Sequence, residues 1–225
     1  MRQPHRRIHP DNDHLEEADC VTDARADRMR QVAAARQRGL VVLMEDVYNP
    51  FNLAAIARTC DALGVQSLGF MCQSRDAFNP QEAGALASRS AAKWIDYTLH
   101  EVGTQAVLTR FKSEGYHVVA AVLSRDAVPL TSADLTQERL LLLVGHERRG
   151  LSAEAEALAD TRIVIPMVGM VQSLNVSVAT ALVLYEIVRQ RGARHRYTPE
   201  EAEALVQRWM AREAQTKRRP KRHRS

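Results

Sequence analysis

The chain has 225 residues, of which 45% are hydrophobic, and a formal net charge of +4 at pH 7. This length suffices for one sizeable core with appended segments, and no run of about 18 apolar residues predicts a membrane span. Three widely spaced cysteines, Cys20, Cys60 and Cys72, match neither a disulfide framework nor a zinc site, so we expect reduced thiols in a cytoplasmic protein.

The N-terminal region differs in composition from the rest of the chain. Residues 1–21 combine charge, proline and asparagine with few large apolar groups, so we expect them to be disordered. Residues 22–39 are rich in arginine and alanine, which favours a basic helical extension that ends at Gly39.

From residue 40 onward, apolar runs that predict strands alternate with segments that predict helices. The predicted strands are 40–44, 65–71, 94–98, 116–122, 140–144 and 162–165, and the predicted helices are 53–63, 102–114, 152–158 and 175–191. Candidate N-caps for three of these helices are Asn52, Ser152 and Asn175. An Ala/Ser-rich stretch at 75–93 is ambiguous and fits one short helix and a loop. The alternation predicts an α/β domain over residues 40–192 with a mostly parallel sheet.

Residues 193–225 are predicted to form a second extension. The segment 192–197 is a candidate hinge, and Thr198 is a candidate cap for a helix from 199 to about 214. A basic tail, KRRPKRHR, follows at 217–224.

Basic residues concentrate in three segments of the chain. They are the arginines Arg25, Arg28, Arg30, Arg36 and Arg38, the stretch 189–196, and the tail 217–224. A lone basic tail fits solubility and disorder equally well, but three such segments favour a phosphate-rich partner such as a nucleic acid.

Two polar clusters follow predicted strands. The first is NPFNLAAIARTCD at 49–61, in which Asn52 and Arg58 lie less than two helical turns apart and can border one cleft. The second is VGHERRGL at 144–151, where two glycines flank Glu147 at the end of a strand, a place where open α/β sheets bind ligands. A simple cap at Asn52, a surface charge at Arg58 and a plain turn around Glu147 are the alternatives.

A third cluster is IPMVGMVQSLNVSVA at 165–179, which places Ser173, Asn175 and Ser177 at the head of a long apolar helix. Helix capping accounts for one or two of these polar residues, but it does not explain the long apolar loop before them. Buried polar groups need partners, and long loops in compact domains are usually functional. This loop is therefore predicted to fold around something polar or to bind it.

Together, the three clusters resemble the three sequence motifs of the TrmH/SpoU RNA 2′-O-methyltransferases, a branch of the SPOUT superfamily. The resemblance runs from about residue 40 to residue 191 and holds in order and separation. One departure is Leu53-Ala54-Ala55, where many relatives have a glycine. Because of the basic N-terminal helix and the C-terminal helical extension, the most similar branch is that of the tRNA guanosine-18 2′-O-methyltransferases.

The resemblance implies a C-terminal deep trefoil knot, a homodimer, S-adenosylmethionine as the cofactor, and methyl transfer to a ribose 2′-hydroxyl of RNA such as a D-loop guanosine of tRNA. The catalytic residues carried over are Asn52, Arg58, Glu147, Ser173 and Asn175. The cofactor-binding residues carried over are Ala121, Gly145, Ile165, Met167, Ser173 and Leu174. By the same resemblance, Arg58 orients and polarises the hydroxyl or its phosphate, Asn52 positions Arg58 or the methionine moiety, and Glu147 stabilises the arginine or its own loop.

Other classes of protein are less well supported by the sequence. A Rossmann-type enzyme requires GxGxxG after an early strand, and EDVYNP at 45–50 contains no glycine, while the glycines of 145–150 lack the Lys-Ser/Thr of a P-loop. The histidines form no metal-binding pattern. The open alternatives are 2′-O-methylation of ribosomal RNA or of another tRNA ribose, and a non-catalytic RNA-binding protein that keeps the fold.

Overall fold

The computed structural model describes residues 22–71, 92–124 and 126–218. The strands are β1 (Leu40–Glu45), β2 (Ser67–Met71), β3 (Asp96–His100), β4 (His117–Ala121), β5 (Val128–Pro129), β6 (Leu140–Val144) and β7 (Thr161–Val164). The α-helices in these ranges are α1 (Asp23–Ala34), α2 (Pro50–Ala62), α3 (Thr104–Ser113), α4 (Ala153–Leu158), α5 (Val176–Arg191) and α6 (Pro199–Arg218). Short 3₁₀ helices lie at Ala92–Trp94, Leu130–Ser132 and Gly192–His195.

The strands form one parallel sheet in the order β3-β2-β1-β6-β4-β7-β5. The predicted α/β class with a parallel sheet is therefore confirmed. The chain builds one side of the sheet with β1, β2 and β3, and then crosses to build the other side, so the order reverses next to β1. In open α/β sheets, such a reversal leaves a crevice at the carboxyl ends of the strands, where ligands bind.

The central strands β1 and β6 are buried on both faces, which explains their unbroken apolar runs. Alternate side chains point to opposite faces of a sheet. Val42 and Leu142 therefore pack in the same cluster as α2 and α5, whereas Leu43 and Leu143 pack with α3 and α4. This three-layer core fixes the strand ends from which the candidate site is built.

Helices α1 and α6 pack against each other through a separate apolar cluster. Its buried members are Met29, Ala33, Ala202, Leu205, Val206 and Trp209. Helix α6 begins with a capping box, in which Glu201 N–H donates to Thr198 Oγ1 at 3.2 Å and Thr198 N–H donates to Glu201 Oε2 at 2.8 Å. The helices at the two ends of the chain thus form one pair.

The connections between this pair and the sheet differ from their predictions. Helix α1 ends at Ala34 rather than at Gly39, because residues 36–38 run antiparallel to residues 195–197. Arg38 N–H donates to His195 O at 2.6 Å, and Tyr197 N–H donates to Arg36 O at 2.9 Å. The segment predicted as a hinge is accordingly a 3₁₀ helix with a buried histidine, fixed to the start of the sheet.

Two arginines that were assigned to the basic segments are fully buried. Arg36 forms an ion pair with Asp61 at 2.6 Å, and its guanidinium lies 5.2 Å from the ring centroid of Trp209. Arg191 ends α5 and donates to backbone carbonyls of two other segments; burial lowers its pKa to about 10. The prediction that these segments face a nucleic acid is therefore wrong for Arg36 and Arg191, because both side chains stabilise the fold from inside.

Several predictions concern residues outside the described ranges. They are the disorder of residues 1–21, most of the ambiguous stretch 75–93, and the tail beyond Arg218. Cys20 and Cys72 also lie outside, whereas Cys60 is buried in the core as a free thiol. Among the helices that the structure describes, none has the length and apolar character needed to cross a membrane.

Candidate active site

The first polar cluster forms the start of α2, immediately after β1. Asn49 is the N-cap: its Oδ1 accepts a hydrogen bond from Phe51 N–H at 2.9 Å, and Pro50 occupies the first turn. The predicted cap at Asn52 is therefore wrong, because the Asn-Pro pair three residues earlier starts the helix. Asn52 lies inside the first turn with 7% of its surface exposed, so its amide bonds to groups outside α2.

Asn52 connects all three polar clusters. Its Nδ2 donates to Glu147 Oε1 at 2.9 Å, and its Oδ1 accepts from Asn175 Nδ2 at 3.0 Å. The same Glu147 oxygen accepts from Asn49 N–H at 3.2 Å. Asn175 caps α5, since its Oδ1 accepts from Ser177 N–H at 2.8 Å. The clusters that the sequence shows as separate are thus joined by one hydrogen-bonded network.

The loop at 145–150 that carries Glu147 closes on itself. His146 and Gly150 exchange backbone hydrogen bonds of 3.0 and 2.9 Å, and a Cβ on Gly145 would lie 2.3 Å from the Gly150 carbonyl carbon. His146 Nδ1 accepts from Arg148 N–H at 2.9 Å, which places the ring proton of the neutral imidazole on Nε2. This closed loop is what directs Glu147 toward α2.

A buried carboxylate behind the loop is a residue that the sequence analysis missed. Glu45, which ends β1, is 2% exposed and accepts from Thr104 Oγ1 at 2.7 Å, from Ser152 Oγ at 2.8 Å and from Ser152 N–H at 2.8 Å. Ser152 is the predicted cap of α4, and its Oγ also accepts from Ala155 N–H. An acidic residue directly after an apolar strand is the signal that points to it.

Arg58 lies apart from the network in this structure. It is exposed on α2, and among the described residues it forms no hydrogen bond or ion pair. Because Arg58 lies six residues after Asn52 on the helix, the two side chains point in different directions. Asn52 therefore holds Glu147 and Asn175 rather than Arg58.

A cleft opens at the carboxyl ends of β4, β6 and β7, against α5. Its volume is about 150 Å³, and its mouth is open to solvent. All six residues predicted to bind the cofactor line it: Ala121, Gly145, Ile165, Met167, Ser173 and Leu174. Glu147 and His146 add polar groups to the same lining. The arrangement suits a ligand with an apolar ring and a few polar groups.

Comparisons with known proteins agree with this architecture. Residues 39–185 match the SpoU rRNA Methylase family. The tRNA (guanosine(18)-2′-O)-methyltransferase of Aquifex aeolicus is 37% identical over 194 residues, which cover 84% of this chain and 90% of that protein.

Two solved structures are similar as well. The TrmH/SpoU tRNA modifying enzyme of A. aeolicus superposes with a TM-score of 0.72 at 37% identity, over 84% of this chain and 96% of that one. The SpoU methyltransferase AviRb of Streptomyces viridochromogenes, in complex with its cofactor AdoMet, superposes with a TM-score of 0.60 at 28% identity, over 72% of this chain and 61% of that one. Since the family match spans more than half of the residues, the chain belongs to the SpoU rRNA Methylase family.

Proposed function

We propose that this protein uses S-adenosylmethionine to methylate the ribose 2′-hydroxyl of guanosine 18 in tRNA. The observation that carries the proposal is the hydrogen-bonded network of Asn52, Glu147 and Asn175, which joins three motifs beside a cleft that Glu147 itself lines. The RNA and the nucleotide are those named for the A. aeolicus relative, which matches 84% of this chain.

The lining of the cleft supports its assignment to the cofactor. Ala121, Gly145 and Ile165 lie at or just beyond the ends of their strands, where backbone N–H and C=O groups leave the sheet and are available to a ligand. Apolar side chains around them, including Ile163 and Val183, suit the faces of an adenine ring. We therefore assign the cofactor to the six residues of the cleft. When bound, it supplies an electrophilic methyl group on a sulfonium.

The protein's part in the reaction is to align the hydroxyl and to assist loss of its proton. An arginine is protonated at neutral pH, so we assign Arg58 to polarising the 2′-hydroxyl or neutralising its phosphate rather than to removing the proton. Asn52, Glu147 and Asn175 hold the start of α2 and the start of α5 at a fixed distance from the cleft. Ser173 lines the cleft beside them. Fixed alignment of this kind lowers the barrier of a two-reactant step.

The proposed enzyme is a homodimer with a knotted C-terminal region. Helix α5 buries Leu184 in the core but exposes Leu182 and Tyr185, an apolar face that a second copy would cover. The knot is supported by contacts between α5 and the segment before β6: Gln190 Nε2 donates to Ala133 O at 3.0 Å, and Leu135 N–H donates to Gln190 Oε1 at 2.9 Å. They pack the last core helix against the segment through which it would pass.

The remaining basic residues are assigned to RNA phosphates. Besides Arg58, the exposed arginines without an acidic partner in the described part of the chain are Arg28, Arg139, Arg148, Arg194 and Arg196. We divide the chain accordingly into an N-terminal extension at 22–39, a methyltransferase domain at 40–192 and a C-terminal helix and tail at 193–225, and we place the activity in the cytoplasm.

The test is methyl transfer from labelled S-adenosylmethionine to unmodified tRNA and, separately, to ribosomal RNA, with the labelled nucleotide mapped. Label on the ribose of guanosine 18 supports the proposal. Label only in ribosomal RNA, or at another tRNA ribose, keeps the chemistry and replaces the substrate. Bound cofactor without any transfer overturns the proposal in favour of a non-catalytic RNA-binding protein.

The variant Arg58→Ala tests the role assigned to Arg58 in methyl transfer. Because Arg58 faces substrate rather than cofactor in this assignment, the variant is expected to lose transfer by at least about a hundredfold while its cofactor affinity stays within about twofold. Tritium transfer measures the first quantity and isothermal titration the second. Arg110→Ala, which removes another exposed helical arginine, serves as the control. Loss of cofactor binding in Arg58→Ala contradicts the assignment.

A further inference from the structure

A second cavity lies at the opposite end of the sheet from the cofactor cleft. It has a volume of about 310 Å³ and is bounded by the amino ends of β1 and β2 and by α6. Its polar lining residues include Arg38, Ser67, Tyr116, Tyr197, Glu201 and Arg208. Five-residue strands at about 3.3 Å per residue separate the two sites by about 15 Å. The cavity is therefore distinct from the site of methyl transfer.

Three residues that line this cavity carry hydroxyl groups without a partner in the described part of the protein. Ser67, Tyr116 and Tyr197 are half-buried, and none of their hydroxyls is hydrogen-bonded to another residue that the structure describes. Burial is the main reason why the pKa values of both tyrosines are raised, so both hydroxyls are protonated at neutral pH. Partly buried polar groups gain from a partner, and these three residues line the same cavity.

The walls of the cavity are held in place without a ligand. The ring of Tyr116 packs edge-on against Phe111 at 5.2 Å, and the Arg139 guanidinium lies 5.7 Å from its centroid. Tyr197 is fixed by its backbone hydrogen bond to Arg36. A preformed site of this kind loses little conformational entropy on binding.

The cavity is lined by both positive and negative side chains, which makes a bare anion a poor ligand. Arg38 pairs with Glu138 at 2.8 Å and Arg208 pairs with Asp96 at 3.3 Å, each through one terminal nitrogen. The remaining guanidinium N–H groups are donors, while Glu201 contributes a carboxylate acceptor. A nucleobase offers both donors and acceptors at its edge, together with flat faces that stack on tyrosine and arginine.

We propose that this cavity binds an unpaired nucleoside of the RNA substrate, at a distance from the methylated ribose. The inference rests on the proposed function, because that function supplies the RNA. A nucleoside held here anchors the RNA and contributes to its selection, and it leaves the chemical step at the other end of the sheet unchanged.

The test is calorimetric titration of the full chain with the 5′-monophosphates of guanosine, adenosine, cytidine and uridine. Saturating S-adenosylhomocysteine keeps these probes out of the cofactor cleft. At least one nucleotide is expected to bind in the millimolar range or tighter. Tyr116→Phe with Tyr197→Phe, which removes both hydroxyls and keeps both rings, is expected to weaken that binding about tenfold. Arg208→Gln is expected to weaken it about fivefold or more.

Arg212→Gln is the matched control, because Arg212 lies on the same helix, pairs with the same Asp96 and does not line the cavity. Its nucleotide affinity is expected to stay within about twofold of the unmodified protein. With tRNA as substrate, the cavity variants are expected to raise KM and to leave kcat unchanged.

The proposal is overturned by an absence of nucleotide binding up to about 10 mM, by inorganic phosphate binding as tightly as the nucleotides, or by equal losses in Arg208→Gln and Arg212→Gln. Because nucleotide binding is measured without methyl transfer, failure of the proposed function does not affect this readout. If nucleotides bind but no methyl transfer is measured, the cavity remains a nucleoside site and the proposed enzymatic activity is rejected.

Discussion

At the scale of single residues, the two carboxylate oxygens of Glu147 differ in their hydrogen bonds. Its Oε1 accepts hydrogen bonds from Asn49 and Asn52. Its Oε2 is buried, has no hydrogen-bond partner in the described part of the chain, and lies 4.0 Å from His146 Nδ1. Because His146 Nδ1 already accepts from the backbone, it does not neutralise that oxygen. The hydrogen bonding of the Glu147 carboxylate therefore depends on Asn49 and Asn52 at the start of α2.

Asn52→Asp tests this dependence. The change replaces a donor 2.9 Å from Glu147 Oε1 by a carboxylate oxygen, and two adjacent carboxylates raise the pKa of the pair because they repel each other unless they share a proton. The folded protein then binds a proton more tightly than the unfolded chain, so the loss of stability is largest at pH 8 and shrinks toward pH 5. Urea unfolding at both pH values is expected to show a loss of about 2–4 kcal/mol at pH 8.

Asn52→Ala is the matched control for this prediction. It removes the donor without adding a charge, so its smaller loss of about 1–2 kcal/mol is expected to be the same at pH 8 and pH 5. If Asn52→Asp and Asn52→Ala show the same pH dependence, the charge on Glu147 is not what Asn52 controls.

At the scale of elements, the two glycines of the loop at 145–150 serve different purposes. Gly145 lines the cleft, and the backbone of Gly150 and Leu151 lies too close to it for any side chain. Gly150 has open space around the position of a Cβ, but its φ of +70° is a conformation that favours glycine. One glycine therefore permits a close approach of two backbones, and the other permits a turn.

Gly145→Ala and Gly150→Ala separate these purposes. Gly145→Ala has to displace the backbone next to the cleft, so its affinity for S-adenosylhomocysteine is expected to fall tenfold or more. Gly150→Ala is expected to cost about 1 kcal/mol of stability from the strained φ and to retain cofactor affinity within about threefold. Isothermal titration and urea unfolding measure the two effects. Equal losses of affinity in both variants would contradict the close-approach argument.

The sequence predicts elements better than it predicts their contacts. The apolar run at 140–144 coincides with β6, and Asn175 caps α5 as expected, because these features depend on local patterns. The cap of α2 lies at Asn49 rather than at Asn52, and Pro50 in the first turn is the local signal for this earlier start. The buried positions of Arg36 and Arg191 depend on segments far away in the chain, which composition does not reveal.

At the scale of the whole molecule, most exposed basic groups of the described residues are balanced by acids. Arg25 pairs with Glu213 and Arg189 pairs with Glu186; both acids have pKa values lowered to about 2, chiefly by these hydrogen bonds. Such paired arginines contribute little net charge to RNA phosphates. The net charge of +4 therefore does not show where the positive charge lies. Unpaired arginines and the tail carry most of the excess.

Truncation after Arg218 tests the contribution of the tail, since it keeps all of helix α6 that the structure describes. The removed residues include four basic ones, Arg219, Lys221, Arg222 and Arg224. Each phosphate contact changes the slope of log affinity against log salt by about 0.7–0.9, so the slope for tRNA binding is expected to fall by up to about 3. Turnover at saturating tRNA should change less than affinity, because the tail adds binding and not chemistry. A Gly/Ser tail of equal length, measured by filter binding over a salt series, should behave like the truncation; an unchanged slope in both would remove the tail from the RNA interface.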